Sequence, residues 1–268
     1  MKENVKQNVS ITIMFLVLST IILQSCSQNS PTNTSRGNNS QSVNDFTFAL
    51  PNGVSNDDII ARMMIYTDKS YYDGFGREVT ITRSDAVFWK PGYRYSIKAG
   101  NVSIGNQLLE LYSAPLDSGS VDSIYAYGGE YPLINFNNTN YTFSVTGNSD
   151  IQPINMTVQS PSSSVTVTSP VRGTNFSTNS PLTITWGGTT DPANSIRVSV
   201  TGQNGAINKY VDDTGSITLT TGELSVLGTG SVTIEISRGK YVLEPLSNGK
   251  YAVALIFSSH QVECNASN

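Results

Sequence analysis

"LTITWGG", residues 182–188, sets Leu182, Ile184 and Trp186 alternately with Thr183 and Thr185, then stops on two glycines. A period of two sends successive side chains to opposite faces of a strand, and the glycine pair ends it. The pattern returns outward along the chain in "VTVT" (165–168), "IRVSV" (196–200), "ITLT" (217–220), "VTIEI" (232–236) and "YAVALIF" (251–257). Asn204-Gly205 and Asn248-Gly249 supply turn signals between these runs. Strands at this spacing, without a long amphipathic helix, indicate two sheets packed face to face. Residues 221–227 are the exception: Leu224 and Leu227 lie three apart behind a threonine, which reads as one helical turn.

The first half is less regular but also favours strands: "FTFAL" (46–50), "EVTITR" (78–83), "AVFW" (86–89), "YRYSIKA" (93–99), "LLELY" (108–112) and "YTFSVTG" (141–147). "DDIIARMMIY" (57–66) admits two readings. Asp57 and Asp58 after Ser55 suit a helix start, while Ile59, Ala61, Met63 and Ile65 alternate with Ile60, Arg62, Met64 and Tyr66. The alternation favours a strand buried on both faces. The Ser- and Pro-rich segment 159–164 is the natural break. The expected organisation is an all-β chain of two β-sandwich-like domains, 45–158 and 165–264, joined by a linker at 159–164.

The amino terminus is of another kind. Lys2 and Lys6 precede an apolar run at 9–23, broken only by Ser10, Thr12, Ser19 and Thr20. Fifteen helical residues span about 22 Å, short of a hydrocarbon core of about 30 Å, so a cleaved signal is expected at 1–25. Leu23-Gln24-Ser25-Cys26 resembles a bacterial lipobox, which implies cleavage before Cys26 and acylation of its thiol and new amine. Several acyl chains, each contributing about 0.8 kcal/mol per buried CH₂, hold a protein on a membrane where one chain does not. The alternative is an ordinary exported protein with Cys26 free or paired to Cys264, the only other cysteine. Under the lipid reading Cys264 is an odd thiol, expected to be inert and exposed. Residues 27–44 hold Val43 as their only aliphatic side chain, so 26–44 reads as a disordered tether reaching roughly 20–25 Å.

Removing residues 1–25 takes away Lys2, Glu3 and Lys6 and moves the formal charge from −4 to −5, which excludes nucleic acid as a natural partner. Charged residues are 13% of the chain, about half the usual share, while tyrosine reaches 13 copies, a profile of exported β-proteins. "SPVRGTNFSTNSPLTITW" (169–186) resembles the immunoglobulin-like and fibronectin-like modules of secreted proteins, which implies that Trp186 lies between two sheets. "AGNVSIGNQL", a tyrosine-rich loop and "YTFSVTGNSDIQPINMTV" together resemble uncharacterised two-domain lipoproteins of Bacteroidota-type bacteria. That likeness carries no catalytic residues with it.

Chemistry-bearing residues are sparse. His260 is the only histidine and follows the last predicted strand, where an exposed position near a frayed end is expected. No G-x-S-x-G elbow accompanies it, and one histidine with one spare cysteine is too few for zinc. Asp57-Asp58, Asp68 with Asp73-Gly74, and Asp212-Asp213 lack the loop spacing of a calcium site and read as solvated turns. No cofactor or metal is expected. Glu78, Asp85, Glu110, Asp117, Asp122 and Glu130 are available as paired carboxyls for glycoside hydrolysis.

The aromatics cluster at Tyr71, Tyr72 and Phe75, at Trp89, Tyr93 and Tyr95 around Pro91-Gly92, and at Tyr125, Tyr127 and Tyr131. Aromatic faces stack on sugar rings or anchor protein interfaces; residues two apart also share a strand face and cover a sheet. The resulting expectation is a non-catalytic envelope lipoprotein of two modules, held by its lipid, that binds a glycan or an envelope protein through those aromatics. A carbohydrate-active hydrolase and a structural spacer of an envelope complex are the alternatives, with oligomeric state open. The expected location is the bacterial outer membrane.

Overall fold

The computed structural model describes residues 48–71, 77–90, 95–115, 121–128 and 131–268, which belong to one compact unit spanning Gly37–Asn268. The chain is all-β. Its strands are β1 (Ile59–Tyr71), β2 (Glu78–Phe88), β3 (Val102–Ile104), β4 (Gln107–Leu108), β5 (Glu110–Pro115), β6 (Val121–Ala126), β7 (Asn140–Val145) and β8 (Ile154–Gln159). There follow β9 (Thr166–Ser169), β10 (Asn175–Ser177), β11 (Leu182–Gly187), β12 (Ser195–Thr201), β13 (Ala206–Asp212), β14 (Ser216–Leu219), β15 (Gly230–Pro245) and β16 (Tyr251–Ser267). One helical turn, α1 (Thr221–Leu224), precedes β15. Thr220 Oγ1 accepts from the Glu223 amide while the Glu223 carboxylate receives the Thr220 amide, so the expected threonine cap closes as a capping box.

Nine strands form one large sheet in the order β13-β12-β15-β16-β1-β2-β6-β5, with β10 also pairing β16. Two smaller sheets, β4-β3-β7-β8 and β14-β11-β9, lie against it. The long hairpin β15–β16 explains the arrangement. Its arms have 16 and 17 residues, beyond the usual strand of up to about 10, and Leu246–Lys250 turns between them. On β16, Ala252, Ala254 and Ile256 join the core under the first small sheet, while Val262, Cys264 and Ala266 join the core under the second. All six are even-numbered and therefore share one face. The molecule is thus two sandwiches built side by side on one continuous back sheet.

The Ser- and Pro-rich segment, whose Gln159 still belongs to β8, leads from β8 to β9, where the chain changes sheet. What crosses it is the large sheet. β1 pairs parallel to β16 from Met63↔Ala254 to Lys69↔His260, so the first sandwich is completed by the last strand of the chain. β1 follows the sequence expectation of burial on both sides: Met63 and Ile65 face the first core, and Met64 and Tyr66 pack on the reverse. On that reverse side, Tyr66 stacks on Phe257 at 4.8 Å and Phe48 meets the same ring edge-on at 5.9 Å.

Three local expectations change. "FTFAL" is no strand where it is described: Phe48 leaves the ladder and lies over Gly239, where a Cβ would fall 2.8 Å from the Phe48 ring. "EVTITR" and "AVFW" fuse into β2, because Ser84 and Asp85 pair with Ile65 and Met64. In "YRYSIKA" the described part keeps only a single bridge, Trp89↔Ser96. Trp186 is buried between the sheets, as the resemblance of 169–186 to immunoglobulin-like modules implies.

Candidate functional site

The aromatic residues divide by strand face. Trp89, Tyr125 and Tyr131 are buried, which corrects the expectation that they form a binding surface. Tyr125 meets Phe88 edge-on at 5.6 Å and its hydroxyl accepts from the Ala99 amide; Tyr131 donates to the Ile104 carbonyl at 2.7 Å. Tyr127 is half-buried and packs edge-on against Tyr131 at 5.5 Å. Trp89 carries Arg62 over its ring at 5.8 Å. Tyr125, Tyr127 and Tyr131 close the first core, because the inward face of β6 continues into it, whereas Trp89 lies outside that cluster beneath Arg62. Tyr72, Phe75 and Tyr93 lie outside the described residues, as do Cys26, the signal segment 1–25 and the tether 26–44; of Tyr71 only the backbone, at the end of β1, is described.

His260 is not at a frayed end. It sits within β16 with 3% of its surface exposed, at the point where the hairpin passes from one core to the other. Its Nδ1 accepts from the Val167 amide at 2.8 Å, so the neutral ring carries its proton on Nε2, which donates to Glu78 at 3.2 Å. Glu78 is also paired with Lys69 at 2.7 Å. Next to this node Ser258 accepts from the Val165 amide at 2.8 Å, and Ser259 donates to Asp68 at 2.9 Å. Ser258 and His260 together pin the start of β9 to the back sheet. With both ring nitrogens engaged, the imidazole has no free lone pair to activate a nucleophile.

Burial holds the His260 pKa below the usual histidine value, although Glu78 pulls it back and Lys69 adds to the depression. A depressed pKa means that stability from the neutral ring is complete above about 6.5 and is lost as pH falls through the folded value. The Val167 amide is expected to lose hydrogen-exchange protection in that window while the Val165 amide, held by a hydroxyl, keeps it. Equal protection of both at acid pH would show that the link does not depend on the neutral imidazole.

A second buried group lies alongside. Arg238 and Asp213 have fully buried side chains; Arg238 Nη2 donates to Asp213 Oδ1 at 2.9 Å, and Nε lies 2.9 Å from Oδ2 without the alignment of a hydrogen bond. Trp186 Nε1 and Asn194 Nδ2 also donate to the Asp213 carboxylate, at 3.0 and 2.8 Å. Arg238 Nη1 reaches the carbonyls of Ser164 and Gly187. Asp213 is therefore no solvated turn. Burial alone would raise its pKa, but the donors from Arg238, Asn194 and Trp186 outweigh it and hold the carboxyl below its ordinary value.

The remaining polar candidates are also partnered. Asp58 caps the turn at 56–58 through Ser55 and pairs with Lys250 at 2.8 Å. Glu110 accepts from Tyr112, and Asp122 from Ser96. Asp85 differs: burial raises its pKa to about 6 against the pull of Arg62 and Arg83, and its Oδ1 is shielded with no hydrogen-bond partner. The residues facing it across the ladder are Met64 and Ala126, which offer no second carboxyl. Asp117 and Glu130 lie outside the described residues. Among the described residues no group of three or more His, Cys, Asp or Glu gathers to hold a metal.

Cys264 is buried rather than exposed, with its Sγ 3.7 Å from the Val171 carbonyl and its pKa raised by burial. In a Cys26→Ser variant of the full chain, a thiol reagent is expected to label nothing in the native state and one equivalent after unfolding. Rapid native labelling would place Cys264 at the surface.

Open space occurs elsewhere. A groove of about 570 Å³ runs where the two sandwiches meet, lined by Asn140, Thr157 and Gln159 of the first and by Ser195 and Lys240 of the second. Lys240 pairs with Asp191 at 3.1 Å, so its charge is compensated within the wall. The Ala193 amide, and then Lys240, hold the Asp191 pKa below its ordinary value. A second groove of about 350 Å³ lies at the other end of the first small sheet, lined by Asn101, Ser103, Ser144, Thr146 and Asn155. Both volumes are in the range of small-ligand clefts, and both present amides and hydroxyls. No aromatic pattern pointed to them; the signal available was the polar set of "NYTFSV" and "INMTVQ", which alternates with the buried set.

No protein-family model matches the chain, and no curated protein matches it. Among solved structures it is similar to the crystal structure of DIP-gamma IG1+IG2, at 11% identity over 76% of this chain and 98% of that one, with a TM-score of 0.19. That likeness carries no argument. The sandwich architecture rests on strand order and on the two cores.

Proposed function

We propose that this protein is a non-catalytic binding module of a bacterial cell envelope, held on the outer membrane by a lipid on Cys26, and that it binds glycans. The observation that supports this reading is the groove at the meeting of the sandwiches, whose walls offer the amide and hydroxyl groups that pair with sugar hydroxyls. Its lysine is already compensated by Asp191, which suits a neutral partner. The chain's histidine is committed to β9 and Glu78, and Asp85 faces no carboxyl, so neither supports bond cleavage in this setting.

Two measurements test the reading. Labelled palmitate should enter the wild-type chain and not Cys26→Ala; labelling of neither removes the anchor. Immobilised polysaccharides should retain the protein without release of new reducing ends. Product release would transfer the chain to the hydrolase reading, with Asp85 as the first carboxyl to replace.

A further inference from the structure

The two grooves are ends of one surface. In the first small sheet Asn140 faces Gln159, Thr142 faces Thr157, and Ser144 lies between Ser103 and Asn155. These side chains alternate with Phe143, Val145, Ile154, Met156 and Val158, which are buried in the first core, so all of them point outward. Thr142 and Thr157 lie 3.5 Å apart, and Ser144 donates to Asn155 at 3.2 Å. β3, β7 and β8 contain no charged residue. Asn140 to Ser144 covers about 14 Å of strand. At the Gln159 end the row opens into the larger groove, and at the Asn155 end into the smaller one.

We infer that the outer face of β3, β7 and β8, with the groove at each end, is one continuous binding track for an extended, uncharged polysaccharide. This rests on the glycan-binding reading above and adds where the chain lies and what charge it has. Cross-strand rows supply paired donors and acceptors at strand spacing, which fits a ligand whose hydroxyls repeat along its length. A short sugar would fill one groove only. An acidic polymer would meet carbonyl and hydroxyl oxygens without a cation to balance it, since Lys240 is held by Asp191.

The outer face of the other small sheet provides the control, because Thr183 and Thr218 make the same kind of pair, 3.0 Å apart, on a surface where neither groove lies. Binding of a fluorescent neutral glucan and of an acidic polyuronate is measured with full-length wild type, Thr157→Lys and Thr183→Lys, each checked for an unchanged thermal transition. The expected result is glucan binding weakened roughly tenfold or more in Thr157→Lys and unchanged in Thr183→Lys. Gln159→Ala and Asn155→Ala, at opposite ends, should each weaken a long glucan more than a short one. Glucan binding that ignores Thr157→Lys, or a preference for the polyuronate, overturns the track and leaves the glycan-binding reading in place. Retention of neither polymer by wild type overturns both.

Discussion

Replacing Asp213 by alanine is expected to lower the unfolding free energy by about 3–5 kcal/mol, among the largest losses available to a single substitution in this chain. Arg238 would remain fully buried with its guanidinium facing no counter-charge, and the Trp186 and Asn194 donors would lose their shared acceptor. Urea unfolding measures the loss directly. A change below about 1 kcal/mol would mean that water reaches the site and that the pair resembles a surface salt bridge. The double replacement Asp213→Leu with Arg238→Met should recover much of the loss, because two apolar side chains need neither partner. The pair also sets an acid limit. The folded Asp213 pKa is depressed, so its contribution is complete above the ordinary carboxylate value and disappears as pH falls through the depressed one. Asp213→Asn should therefore flatten the acid arm of the stability curve as well as lower its plateau.

The fragment 45–164 should fail to fold. Cutting there removes Leu246, Ala252, Ala254 and Ile256 from the first core and strips β1 of its whole parallel partner. Burying one large aliphatic side chain contributes about 1.5–3 kcal/mol, and the net stability of a domain is only about 5–15 kcal/mol. The lost side chains and the open ladder exceed that margin. Far-ultraviolet circular dichroism and amide dispersion in a proton–nitrogen spectrum check this: the expected result is a disordered chain. A folded fragment would mean that the first sandwich closes without β16. For the same reason the whole of Gly37–Asn268 should melt in one transition, with Ile184→Ala in the second core also lowering the midpoint at which the amides of Ile65 and Phe143 in the first core lose protection.

The two results draw on different kinds of legibility. Period-two runs such as "LTIT" and "VTIEI" identify strands because alternation is local, and the Thr220–Glu223 cap is legible for the same reason. Trp186 could be assigned to the interior through the resemblance of 169–186 to immunoglobulin-like modules. Arg238 could not: its partner Asp213 is reached across two strands, and nothing near either residue in sequence distinguishes a buried pair from two solvated charges. The aromatics misled for a related reason. A strand's alternation assigns residues to two faces without saying which face is inward, so Tyr125 reads equally as a platform or as core until β6 is placed under the first small sheet.

His260 and Cys264 show the limit most sharply. "YAVALIF" ends as an apolar run at Phe257, yet β16 continues for ten more residues, because β15 beside it continues too. A strand's length is set by its partner. The amino-acid sequence determined the all-β class, the turns and the helical cap, since each depends on neighbours in the chain. Only the tertiary structure decided that one hairpin serves both cores, that the histidine and arginine are internal fasteners, and that two grooves share one polar face, since those depend on contacts between residues up to about 190 positions apart, where the chain's local pattern carries no information.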